Sequence, residues 1–155
     1  MTSLIDDFRA RSEFLQRMTL DFVDAVPDEH WDFSPHKRFA PFSKQLRHVV
    51  CVRGLYNDAL VTKRSDFSKK HSHYSGDLSR DELAPALVEK QNDLLAILDS
   101  VDTDATIEFF GRPFGFVDFT YTMVQHEALH HGEWSIYASL AGFETPLSWR
   151  LEWGL

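Results

Sequence analysis

Apolar positions recur at helical spacing in four stretches of the chain. From Ser3 to Ala25, the residues Leu4, Phe8, Leu15, Met18 and Phe22 step by three, four or seven, which predicts an amphipathic helix stopped at Pro27 and Asp28. A second helix is predicted from a cap at Ser43 to about Thr62. Its Leu46, Val49, Val50, Val52, Leu55, Tyr56, Ala59 and Leu60 cover most of the circumference, so it should be largely buried. A third opens at Ser79, where Ser79-Arg80-Asp81-Glu82 matches a capping box, and Leu83, Leu87, Leu94, Ile97 and Leu98 carry it to about Ser100. Pro85 falls in its first turns, where a missing N–H is best tolerated. The fourth runs from Phe116 to Leu140, with Gly142 as its stop.

The intervening segments lack that period. Asp28 to Pro41 holds two prolines, with Trp31, Phe33 and Phe39 positioned to pack back onto the domain, and reads as an irregular loop. Lys63 to Gly76 is basic and polar, an exposed, mobile connection. Val101 to Gly115 offers one short strand at Thr106–Phe110, closed by Gly111, Pro113 and Gly115. A Trp-bearing tail, Pro146 to Leu155, ends the sequence. Four long helices and one weak strand signal predict an all-α fold, a four-helix bundle with long connections forming a single domain over residues 1–155.

Composition narrows the function classes. The chain has 155 residues, with 24 acidic against 16 basic side chains and a net charge of −8. That balance argues against a nucleic-acid partner, which needs clustered Lys and Arg, and against docking on an anionic membrane. No apolar run approaches a membrane span, and the opening MTSLIDDFRARSEF is interrupted by charge where a signal peptide would be apolar. A single cysteine, Cys51, excludes an intramolecular disulfide and fits a reducing, cytoplasmic setting. Hydrophobic residues make up 43% and aromatics 14%, enough for a sizeable core.

The sharpest chemical feature is Gln125-His126-Glu127-Ala128-Leu129-His130-His131-Gly132-Glu133 in the fourth helix. At about 100° per residue, His126 and His130 lie about 40° apart, one turn separating them, and can chelate one divalent ion. Phe119, Met123, Tyr137 and Ala141 share that side within about 60°, so the pair points along the stripe expected to face the interior. Two unpaired imidazoles there would be costly, and a metal or hydrogen-bonding neighbours would remove the cost. A third ligand should come from another helix. His48 is the candidate, because it shares a stripe with Val52, Leu55 and Ala59 and can point inward. His30 and His36 lie in the proline-bearing loop, His71 and His73 in the polar connection, and His131 turns about 100° from His130 to a supporting or surface position.

Three neutral ligands leave at least one open position on the ion, the mark of a catalytic rather than a structural site. Zinc, nickel, iron and manganese all accept imidazole. Glu133, about 20° from His126, could orient a ligand, hold a metal-bound water, act as a base or coordinate directly. Cys51 lies about 60° from His48 and reads as a small packed residue.

At these residues the sequence resembles the DinB-like metal-binding four-helix bundles, the DinB/YfiT-like superfamily. The likeness rests on Leu46-Arg47-His48-Val49, on His126-x-x-x-His130-His131-Gly132-Glu133, on Tyr137 and Leu140 leading into Gly142-Phe143-Glu144-Thr145-Pro146, and on the aromatic, Pro-rich loop before the second helix. The resemblance implies a metal held at His48, His126 and His130, with zinc or nickel foremost. It also implies thiol S-transferase-like activity on a small-molecule substrate, a low-molecular-weight thiol activated as thiolate, and a homodimer. One departure is Glu133, at a position where such proteins often carry Gln.

Two other readings compete. His126-Glu127-x-x-His130 matches the His-Glu-x-x-His pattern of metallopeptidases, with Glu127 as water-polarising base, but nothing downstream supplies their third ligand. A non-catalytic, stress-related binding or metal-sensing bundle would use the same histidines without turnover. If the centre is catalytic, Trp31, Phe33 and Tyr74 are candidates to line its entrance.

Overall fold

The computed structural model describes residues 3–72 and 78–155. Its four long helices lie where the periodicity puts them: α1 (Leu4–Ala25), α2 (Phe42–Thr62), α3 (Arg80–Leu98) and α4 (Phe116–Ala141). A capping box opens α1, with the Asp6 N–H donating to the Ser3 hydroxyl at 3.1 Å and the Ser3 N–H donating to the Asp6 carboxylate at 3.3 Å. At α3 the Glu82 carboxylate accepts from both the N–H and the hydroxyl of Ser79, at 2.9 and 2.6 Å. Helix α4 ends at Gly142, whose φ of 86° is the left-handed geometry that a helix stop requires and glycine adopts without strain.

Three expectations need correction. Ser43 does not cap α2. The helix starts two residues earlier than such a cap would set it, at Phe42 after Pro41, and the Ser43 hydroxyl instead donates to Asp32 at 2.5 Å, tying the preceding loop to the helix. The single strand is half of a hairpin, β1 (Ile107–Phe109) against β2 (Arg112–Phe114), turned through Phe110 and Gly111 at φ 50° and 72°. The connection after α2 is not wholly free. Lys63 and Ser65 exchange backbone hydrogen bonds with Glu108, each 2.8 Å, and Phe67 stacks on Phe110 at 4.3 Å. The Trp-bearing tail also contains a fifth helix, α5 (Leu147–Trp153), which inserts a fully buried Trp149 against Phe22, ring centroids 4.9 Å apart.

Side-chain bridges fix the helix directions. Helices α2 and α3 run parallel, since Arg47, Arg53 and Asn57 bond to the carbonyls of Leu78, Leu87 and Lys90 in the same order. Helix α1 runs antiparallel to α3, with Arg9 on Asp99 and Arg80 on the Val23 carbonyl. Helix α4 runs antiparallel to α2, pairing Gln45 with Trp134 and Tyr56 with Phe119. The parallel α2–α3 pair explains the long connection between them, because the chain must return the length of the bundle before α3 begins.

Two apolar cores form, one toward each end. The first gathers Phe22, Phe42, Leu87, Trp134, Tyr137 and Trp149. The second gathers Phe8, Tyr56, Leu60, Leu98, Phe116 and Phe119, roofed by Ile107 and Phe109 of the hairpin. Between these sets three of the helices bury polar residues: Ser12 and Gln16 on α1, Gln91 on α3, and Glu127 and His131 on α4. Replacing Trp149 with Ala removes the stacked ring and the indole N–H bond to the Met18 carbonyl. Urea unfolding should show a loss of about 3–5 kcal/mol, and a loss below about 1 kcal/mol would mean that α5 lies outside the cooperative core.

Candidate metal centre

The seam between α2 and α4 brings His48, His126 and His130 together, with one ring nitrogen from each lying within 4.8 Å of the others. The Nε2 atoms of His48 and His126 are 3.3 Å apart. Two nitrogens bound tetrahedrally at zinc–imidazole distance would be separated by about 3.3 Å, so this spacing fits a shared divalent ion. His126 and His130 are half-buried and His48 is exposed. The centre therefore opens at the surface of the groove. This corrects the expectation that His48 points into the interior: its helix wheel places it beside α4, but at the rim of the seam.

Burial pushes His126 and His130 down to about 4, reinforced by repulsion from the neighbouring imidazoles, so both are unprotonated at neutral pH. Neutral imidazole is the form that binds metal. The Glu133 carboxylate comes within 3.3 Å of His130 Nδ1 without the alignment of a hydrogen bond, leaving Nδ1 buried and unpaired. A ring in that state gains from a cation on its other nitrogen, which would polarise Nδ1–H toward Glu133. The His130 ring also stacks on Trp134, centroids 5.9 Å apart, and the Trp134 N–H is fixed at 2.8 Å on Gln45 of α2. A small cavity of about 40 Å³, lined in part by Tyr56, Asn57 and His126, lies beside the centre and has room for little more than water.

Glu127 lies elsewhere. Its carboxylate is enclosed in the bundle and forked by Arg53, with Nε donating at 3.0 Å and Nη2 donating to the other oxygen. The Thr19 hydroxyl donates to the same carboxylate. Burial alone would push Glu127 up, but the Arg53 charge and its hydrogen bonds hold it well below the usual carboxylate range. It is an ion-pair partner, not a base facing the histidines, and the peptidase pattern loses its water-polarising group. His131 is also reassigned. It is 2% exposed, with Nε2 at 2.8 Å from the Thr19 oxygen. Since Thr19 gives its proton to Glu127, His131 must donate through Nε2–H.

Sequence reasoning missed Arg53 altogether. The available signal was a cation, Arg53, set among Val49, Val50, Val52, Leu55 and Tyr56 on a helix apolar around most of its circumference, where a buried charge demands an anion. Of the remaining candidates, Trp31 lies beneath Arg80, and Phe33 packs against Tyr137 within the first core. His30 stacks on Phe143, His36 stays exposed in the loop, and Cys51 is buried. His73, Tyr74 and the His71 side chain fall outside the described residues. Among the described residues, no helix is long and apolar enough to cross a membrane.

The fold and site define a helical bundle with a three-histidine cluster on the seam of its second and fourth long helices. A profile of the DinB superfamily matches residues 12–134, and the chain belongs to that superfamily. The fold is shared with the crystal structure of a DinB-like protein, YjoA, from Bacillus subtilis, with TM-score 0.71 and 14% identity over 90% of this chain and 94% of that one. It is likewise shared with a DinB-like protein from Bacillus cereus, with TM-score 0.73 and 18% identity over 90% of this chain and 93% of the other. No curated protein matches the chain.

The depressed imidazoles make metal-free stability depend on pH. His126, His130 and His131 each drop from 6.5 to about 4 on folding. Between those values the unfolded chain binds protons that the folded chain refuses, so stability is full above pH 6.5 and lost as pH falls toward 4. Melting temperatures of chelator-treated protein should decline across that window. A flat profile would contradict the burial assigned to these rings.

Proposed function

We propose that the chain is a divalent-metal-dependent enzyme, thiol S-transferase-like, that activates a small thiol or a water at a centre held by His48, His126 and His130. The observation that carries this reading is the convergence of three imidazoles, two of them unprotonated at neutral pH, at an open face of the bundle. An all-imidazole donor set puts zinc and nickel first, with iron and manganese behind. A divalent ion there supplies Lewis acidity, lowering the pKa of a thiol or water that reaches it. The chain's own contribution is to keep His126 and His130 neutral, to leave one side open at His48, and to set the half-exposed Glu133 carboxylate beside His130 Nδ1, where it orients that ring. A non-catalytic binding bundle would share all of this except turnover. A cytoplasmic setting fits the single, buried cysteine.

Protein purified without an affinity tag should carry about one divalent ion per chain, and His48→Ala should weaken zinc binding by about 100-fold in a chelator competition. Metal-loaded protein given bacillithiol, mycothiol or glutathione with an electrophile should consume thiol faster than the metal-free control. Metal binding without thiol consumption favours the non-catalytic bundle. Unchanged affinity in His48→Ala contradicts the centre itself.

We propose further that two copies pair through the outer face of α4. That helix has no Lys or Arg in 26 residues, and it exposes Val117, Tyr121, Ile136 and Leu140 with the small Ala128 and Gly132 between them. A solvent-facing helix normally carries charge, and large ends flanking a small centre suit an antiparallel two-fold contact. Light scattering should report twice the chain mass. Gly132→Arg, at a position where an added side chain meets open space, should halve it. A wild-type monomer would contradict the pairing.

A further inference from the structure

We infer that the buried Arg53–Glu127 pair is a positioning device for the histidine centre: it fixes the register of α4 against α2, and the three imidazoles come into reach of one another through it. The inference rests on the metal-centre reading above.

Economy of stability does not explain the pair. Arg53 and Glu127 side chains are 11% and 10% exposed, and taking two charges out of water costs enough that apolar residues of similar volume would serve the core as well. What an apolar contact lacks is direction. Packed Leu and Val tolerate a small slide or rotation, whereas a two-pronged guanidinium–carboxylate contact tolerates little of either.

The location is what a register device needs. Arg53 follows His48 by five residues on α2, an axial offset of about 7.5 Å, and Glu127 is the residue next to His126 on α4. Adjacent helical residues diverge by about 100°, so turning Glu127 inward to the fork turns His126 and His130 outward to the seam, facing His48. Both partners are also anchored independently of each other. The Arg53 Nη1 donates to Gln16 of α1 and to the Leu87 carbonyl of α3, at 3.3 Å for the latter. Glu127 accepts from Thr19 of α1, which His131 holds in turn. All four long helices meet at this pair. A rotation of α4 would have to break it before it could part His126 from His48. None of these groups needs to touch an ion, since they act through the backbone that carries the ligands.

The test is cobalt(II) titration of the full chain followed by visible absorption, with thermal unfolding by circular dichroism on the same samples. Arg53→Met/Glu127→Met keeps volume and removes both charges. It is expected to remain helical, yet to bind cobalt about 10- to 100-fold more weakly and with an altered ligand-field spectrum. Arg53→Lys keeps the charge without the fork and should lose at least about threefold; should the double variant fail to fold, this variant decides. Glu127→Gln keeps one acceptor oxygen but sets an amide N–H against the second prong of Arg53, and should likewise lose at least about threefold. Leu98→Ala, in the second core at the far end of α3, should lower the melting temperature and leave cobalt affinity unchanged, separating positioning from general stability. Wild-type affinity and spectrum in the Arg53 variants overturn the inference. A wild-type chain without a cobalt site overturns the metal-centre reading and this inference with it.

Discussion

The antiparallel contact of α2 with α4 is the constraint on which the rest depends. These two helices carry every residue of the candidate centre, and the rings must meet at a separation near 3.3 Å across a seam between independent rods. Apolar packing supplies most of the free energy that brings rods together, but its forgiving shape leaves their register loose. The chain answers with a polar layer between two aromatic cores, where Arg53, Glu127, Thr19, Gln16 and His131 are linked by hydrogen bonds across the bundle. Stripping one partner from such a buried pair costs about 3–5 kcal/mol, a large share of the 5–15 kcal/mol by which domains are stable.

The topology sets what closes the bundle. Because α2 and α3 run parallel, one long connection must join them, and the cores are covered by α5 at one end and by the hairpin at the other. Burial is graded across the three rings: enough at His126 and His130 to keep them neutral, and little at His48, where an external molecule can approach. The same helix α4 contributes in opposite directions, with Glu127 and His131 committed to the interior and His126 and His130 to the seam. Four residues that look like one motif in the sequence serve two separate structures.

Most of the architecture was readable from periodicity, because long helices repeat their pattern often enough to be recognised. The convergence of His48 with His126 and His130 was readable for the same reason, since a wheel gives the direction of each ring. It does not give depth, so His48 was expected inside and sits at the rim. Short elements escaped. Helix α5 has seven residues, too few for a stripe, and its function is concentrated in Trp149. The hairpin turn places Phe110 at a left-handed position where Asn or Asp is usual, which hid the second strand. The Arg53–Glu127 pair escaped because a wheel treats one helix at a time: Glu127 reads as part of a His-Glu-x-x-His pattern, and only the packing of two helices reveals that Arg53 faces it.

X-ray absorption at the metal edge of the loaded protein addresses the central claim most directly. The account predicts about three imidazole ligands near 2.0–2.1 Å with one further light ligand, and replacement of that ligand by a single sulfur near 2.3 Å when a small thiol is added. A shell of oxygen donors with one imidazole or none would contradict it, and the converging rings would then be a hydrogen-bonded cluster at the edge of a helical bundle.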